Sequence, residues 1–108
     1  SIDEMLQPAV PFTSVQGNFF YITLNKLLWG YFGNRFELRG SDANKVNLLS
    51  QMRIKGINNK LAEETKIILE QLETGMYADV LLTVDKEKIL TSTKSLLKQI
   101  DSYFLKQV

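Results

Sequence analysis

The chain predicts an all-α fold, a compact bundle of about four helices preceded by a short N-terminal extended lead-in, and three features carry that prediction. Apolar residues recur at helical spacing in four separate stretches. The breaks between them fall at Gly33-Asn34, Gly40-Ser41, Gly56 and Gly75, residue types suited to helix boundaries. The one segment of strand-like composition, Val80–Val84, has no second strand to pair with, and a lone strand is not stable. With 108 residues there is room for one core of ordinary size.

Residues 1–17 read as a linker or extended lead-in, and 18–108 as a single helical domain. Pro8 and Pro11 bias Gln7 and Val10 away from helical backbone, so at most a short turn fits around Ile2 to Leu6. The first full helix starts near Asn18. Its Phe20, Leu24, Leu27, Leu28 and Tyr31 follow the i, i+4, i+7, i+8, i+11 spacing of a core face. Gly33-Asn34 is its predicted stop, with Arg35-Phe36 as an added last turn. Ser41 is the predicted N-cap of the second helix and Asp42 complements its positive end. Val46, Leu49 and Met52 form its stripe, and Gly56 ends it.

Asn58 caps the third helix, which gathers Leu61, Thr65, Ile68, Leu69, Leu72 and Met76 on one arc. Glu63, Lys66, Glu70 and Glu73 take the opposite side, and Gly75 marks the end. Val80–Val84 reads as a buried loop, with an edge strand as the alternative. The last helix runs from about Asp85 to Lys106, with Ile89, Thr93, Leu96, Leu97, Ile100 and Phe104 inward. Lys88, Lys94 and Lys98 face outward.

Seven of the eleven aromatic residues lie between Phe19 and Phe36. With Phe20, Leu24, Leu27 and Tyr31 facing the core, Ile22, Trp29 and Phe36 point about 180° away at ~100° per residue. Two readings follow. The helix is central and covered on both sides, as helices apolar all round usually are. Otherwise its far side is a docking patch anchored by large apolar side chains, which makes Ile22, Trp29 and Phe36 the candidate partner-binding residues.

Catalytic chemistry has little to stand on. Cysteine and histidine are absent, which removes thiol nucleophiles, imidazole acid/base groups and the usual ligands of zinc, iron and copper. Glu63 and Glu64 point about 100° apart on a helix and read as solvated. Asp79 and Asp85 lack the alternating ligands of a calcium loop. The glycines are too scattered for a phosphate loop. The reading is therefore a non-enzyme without cofactor or metal. A net charge of +1 from 13 basic and 12 acidic residues disfavours a strongly anionic partner. The alternative is a helix-turn-helix nucleic-acid binder with Lys60 to Leu72 as recognition helix, although Glu63, Glu64, Glu70 and Glu73 oppose phosphate contact. No apolar run reaches the ~20 residues of a membrane span. The chain opens on Ser1 and reads as a piece of a longer or processed protein.

Phe19-Phe20-Tyr21 leads into Leu27-Leu28-Trp29-Gly30-Tyr31-Phe32, then Ser41 opens a short helix. Gly56-Ile57 precedes a long helix carrying Leu69-Glu70-Gln71-Leu72-Glu73, which runs to Tyr77-Ala78. This order resembles the C-terminal helical region of BatD-type proteins of bacterial aerotolerance operons, over most of Phe19 to Phe104. The chain departs from that pattern at Gly75 to Val80, where the family has cysteine, glutamate and arginine. The resemblance implies a membrane-anchored parent, with this domain on the cytoplasmic side and making no membrane contact itself. It also implies a non-catalytic interaction or scaffold role. Its partners would be von Willebrand-type or MoxR-type proteins of the same operon, with no nucleic acid.

Overall fold

Among the described residues five α-helices follow one another: α1 (Ile2–Leu6), α2 (Phe19–Phe36), α3 (Lys45–Ile54), α4 (Asn59–Tyr77) and α5 (Lys86–Lys106). A 3-10 helix, Gln7–Ser14, continues from α1, and a shorter one, Gly40–Asp42, precedes α3. The computed structural model describes residues 1–77 and 85–106. Val80–Val84 and Asp79 lie outside the described residues. The fold is all-α, and among the described residues no helix is long and apolar enough to cross a membrane.

The lead-in is not extended. Ser1 caps α1 by accepting a hydrogen bond from the Glu4 N–H at 3.2 Å, and Gln7 has helical angles of φ −51°, ψ −40° although Pro8 follows it. Burial of Ile2, Leu6 and Ala9 outweighs the local bias of the prolines. The fixed φ of proline also suits a 3-10 helix. Thr13 steadies the last turn by donating from Oγ1 to the Val10 carbonyl at 2.8 Å.

Helix α2 is the centre of the bundle. Phe20, Leu24, Leu28, Phe32 and Phe36 are buried on it at strict four-residue spacing, with Tyr21 beside them. Each such step advances only about 40° round the helix, so the buried ridge winds across it. By Phe36 the ridge has reached the side opposite Phe20. Leu27 and Tyr31, expected in the core, are half-buried. The start of α2 meets the end of α4, where the Asn18 side-chain amide donates to the Met76 carbonyl at 3.2 Å, so α2 and α4 run antiparallel. α5 runs parallel to α2: Lys86 reaches the Gly17 carbonyl at 3.2 Å, and Phe36 packs edge-on to Phe104.

α3 begins later than Ser41 predicts. Asn44 is its N-cap, accepting at Oδ1 from the Asn47 N–H at 2.9 Å while its amide donates to the Ser41 carbonyl. Val46 is turned outward, 75% exposed, and Leu48 is buried in its stead, while Met52 is buried as expected and Leu49 is half-buried. Gly56 adopts φ +77°, the left-handed turn that reverses the chain into α4. Asn58 then accepts from the Lys60 N–H at 2.7 Å. In α5 the predicted Ile89, Thr93, Leu96, Leu97 and Ile100 are all buried, and Phe104 is half-buried. Lys94 and Lys98 are not left to solvent alone, since both lie within ion-pair distance of Asp3.

Gly75 sits inside α4 rather than at its end, and its reason is steric. A Cβ there would overlap ring atoms of Tyr21. Gly75→Ala is therefore expected to cost about 1–3 kcal/mol by overpacking, read as a lower urea midpoint with unchanged slope. Thr93 presents the opposite case. Its hydroxyl is fully buried and has no hydrogen-bond partner among the described residues. Thr93→Val keeps the shape and removes the unsatisfied group, so it is expected to stabilise by about 1 kcal/mol. That corresponds to roughly 4–8 °C in Tm by calorimetry, and a lower Tm would contradict the assignment.

Candidate functional site

The surface of α2 left uncovered by its neighbours is where contact with other molecules can occur. At its N-terminal end Phe19 is 58% exposed and Ile22 39% exposed, one helical turn apart. Val15 adds a third side chain at 43% exposure. The half-buried Phe12 ring lies 5.9 Å from that of Phe19, between centroids. The corner formed by the 3-10 helix and the start of α2 is thus an apolar projection. It is fixed from below, because Lys86 donates to the Val15 carbonyl at 2.5 Å and sits over the Tyr21 ring at 5.6 Å.

The three residues predicted to mark a partner face do not share one. Ile22 is exposed as expected. Trp29 is half-buried and rests edge-on against Phe32, with centroids 6.1 Å apart. Phe36 is 3% exposed and belongs to the core, between Phe32 and Phe104. The winding ridge of α2 brings it inward. Phe19 takes its place on the surface, and its position about 60° from Ile22 on a helical wheel is the signal that could have found it.

Farther along α2 lies a polar cluster that sequence alone could not assemble, because its acid is in α5. The Tyr31 hydroxyl donates to Asp101 Oδ1 at 2.5 Å. Arg35, one turn on, donates to the same oxygen from Nε at 3.0 Å and from Nη2 at 2.6 Å. The guanidinium also stacks over the Phe104 ring at 5.0 Å. Beside the cluster is a shallow groove of about 620 Å³ between α1, α2 and α5, with Met5 and Leu27 on its apolar wall and Gly30 exposed at its floor. The groove offers shape and hydrogen bonding. Among the described residues no group of three acidic side chains could hold a metal ion, and Glu63 is exposed on α4.

Burial, and then the hydrogen bond to the Asp101 carboxylate, hold the Tyr31 phenol well above the ordinary tyrosine range. The hydrogen bond to Asp101 likewise raises Arg35, and burial alone raises Tyr21. Comparison with protein-family models, with curated proteins and with solved structures finds no match to this chain.

A phenol whose pKa is raised by folding contributes stability that is full below its unfolded value, about 10, and is lost as pH rises through the folded value. Tyr31→Phe should therefore remove one late-ionising step from the alkaline absorbance titration of the native chain, leaving that of Tyr21. It should also flatten the loss of stability above about pH 10. Loss instead of a step at the ordinary tyrosine value, about 10, would show that Tyr31 is not held by Asp101.

Proposed function

We propose that this chain is a non-catalytic protein-interaction or scaffold module, a domain of a BatD-like, membrane-anchored bacterial protein linked to oxygen and stress tolerance. The observation that carries the interaction half is the apolar corner at the start of α2. Phe19, Ile22 and Val15 stand in water there on a rigid base, the arrangement of an anchor rather than of a loose surface. The family half rests on the order of sequence features from the Leu28-Trp29-Gly30-Tyr31-Phe32 stretch through Gly56-Ile57. On that reading the domain lies on the cytoplasmic side of its parent's membrane span. Its partners are von Willebrand-type or MoxR-type proteins encoded in the same operon.

The outer face of α4 weighs against the nucleic-acid alternative. Glu63, Glu70 and Glu73 are exposed there, so a recognition helix would turn carboxylates toward phosphate. The test is a titration of the purified chain with each of the two operon proteins by calorimetry. Saturable binding is expected with one of them. Phe19→Glu combined with Ile22→Glu should weaken it at least about tenfold, the effect of losing an anchor, with an unchanged circular dichroism spectrum. Binding that ignores the double substitution would move the docking surface elsewhere. No binding to either protein, together with salt-dependent affinity for duplex DNA, would replace the proposal with the nucleic-acid reading.

A further inference from the structure

We infer that the groove between α1, α2 and α5 is a second binding site, which takes an extended peptide segment bearing one acidic side chain. The site lies beyond the Phe19–Ile22 corner on α2 and does not rest on the reading of that corner. Its floor carries the first part of the argument. Gly30 is exposed in the interior of α2, and a Cβ built on it meets nothing within 4 Å. The fold therefore has no steric need of glycine there, whereas at Gly75 it does. Glycine in an exposed helix interior sacrifices stability relative to alanine. What it provides is room. A larger side chain at position 30 would stand in the groove that Gly30 lines, and bare backbone admits the close approach of another chain.

The two ends of the groove define what fits. At one end Asp101 receives three hydrogen bonds on Oδ1, one from Tyr31 and two from Arg35. Asp101 Oδ2 and Arg35 Nη1 have no hydrogen-bond partner among the described residues, and both side chains line the groove, partly open to solvent. The Arg35–Asp101 pair is neutral overall. One free acceptor beside one free donor matches a peptide unit, which has a C=O and an N–H to satisfy, better than it matches a lone charge. At the other end Lys26 is exposed and forms no ion pair with a described residue. It gives the groove one uncompensated positive charge. Lys26 and Arg35 are nine positions apart, about 13 Å along the helix axis, the reach of roughly four extended residues. The volume of about 620 Å³ is that of an ordinary ligand site. The occupant is accordingly about four residues long. Its acid lies over Lys26, an apolar side chain over Gly30 against Met5 and Leu27, and a peptide unit on Arg35 and Asp101.

The probe is a capped tetrapeptide of sequence Glu-Leu-Ala-Leu, titrated into the nitrogen-15-labelled chain and followed by amide chemical shifts. Saturable shifts at Leu27, Gly30 and Tyr31 are expected, with a weak Kd of roughly 0.1–1 mM. The Gln-Leu-Ala-Leu analogue should bind about two- to fivefold more weakly, the range of one exposed ion pair, and Lys26→Met should erase that difference. Gly30→Leu should weaken binding at least about tenfold while raising Tm, since leucine is the better helix former. Lost binding with gained stability is the mark of a floor residue and not of a structural one. Phe19→Ala combined with Ile22→Ala should leave the peptide affinity unchanged, which separates this site from the corner. No saturable shift up to about 10 mM peptide, binding that ignores Gly30→Leu, or equal affinity for the two peptides would overturn the inference. So would shifts centred on Phe19 and Ile22, which would move the peptide to the corner and leave the proposed interaction surface standing. Saturation by octanoate but by neither peptide would give the groove to a small amphipathic acid instead.

Discussion

A helix with large apolar side chains round most of its circumference has no stable position at the edge of a protein. α2 imposes that constraint, and the other elements are placed to meet it. Its buried ridge turns slowly as it rises. The covering must turn with it: α4 against the N-terminal part, and Phe104 of α5 over Phe36 at the far end. Close packing then reaches back into α4, where Tyr21 leaves room only for glycine at position 75. The short α1 and the 3-10 helix cover a further side, and α2 and α5 both touch them.

Most of this framework could be read from periodicity. The α4 and α5 stripes contain nearly every residue they were assigned, because each helix has one well-separated apolar face and an unambiguous cap in Asn58 or Asp85. The errors fall where one physical effect overrides another. Pro8 and Pro11 argued for extended backbone, yet Leu6 and Ala9 gain more from burial than the local preference opposes. Ser41 and Asn44 are both good caps, and the choice between them was made by the Asn44 side chain bonding in both directions. On α2 the fixed-face assumption failed, since a helix surrounded by several neighbours has no single inside. Phe36 is covered for that reason, as the reading of a central helix has it and the docking-patch reading does not.

The candidate surface was legible to a lesser degree. Ile22 could be placed from spacing alone. The exposure of Phe19 depends on how the preceding 3-10 helix folds back, which no local pattern specifies. The Tyr31–Arg35–Asp101 cluster joins residues as far as 70 positions apart. Tyr31 and Arg35 announce themselves as helical neighbours, but their shared acceptor emerges only when α5 is laid parallel to α2. Polar groups gathered by topology are invisible to composition, whereas apolar groups gathered by helical spacing are not.

The ion pairs from Asp3 to Lys94 and Lys98 span up to 95 positions of chain, and they have a consequence for the order in which the domain can assemble. Ile2, Leu6 and Ala9 are made before α5, yet part of the surface they pack against belongs to α5. Until α5 has been made, this segment has only α2 to lean on. Its apolar side chains must wait, or be sheltered, until α5 arrives. α1 and the 3-10 helix are thus among the last elements of this domain to find their permanent places, and α5 acts as the closing element of a fold that cannot seal itself stepwise.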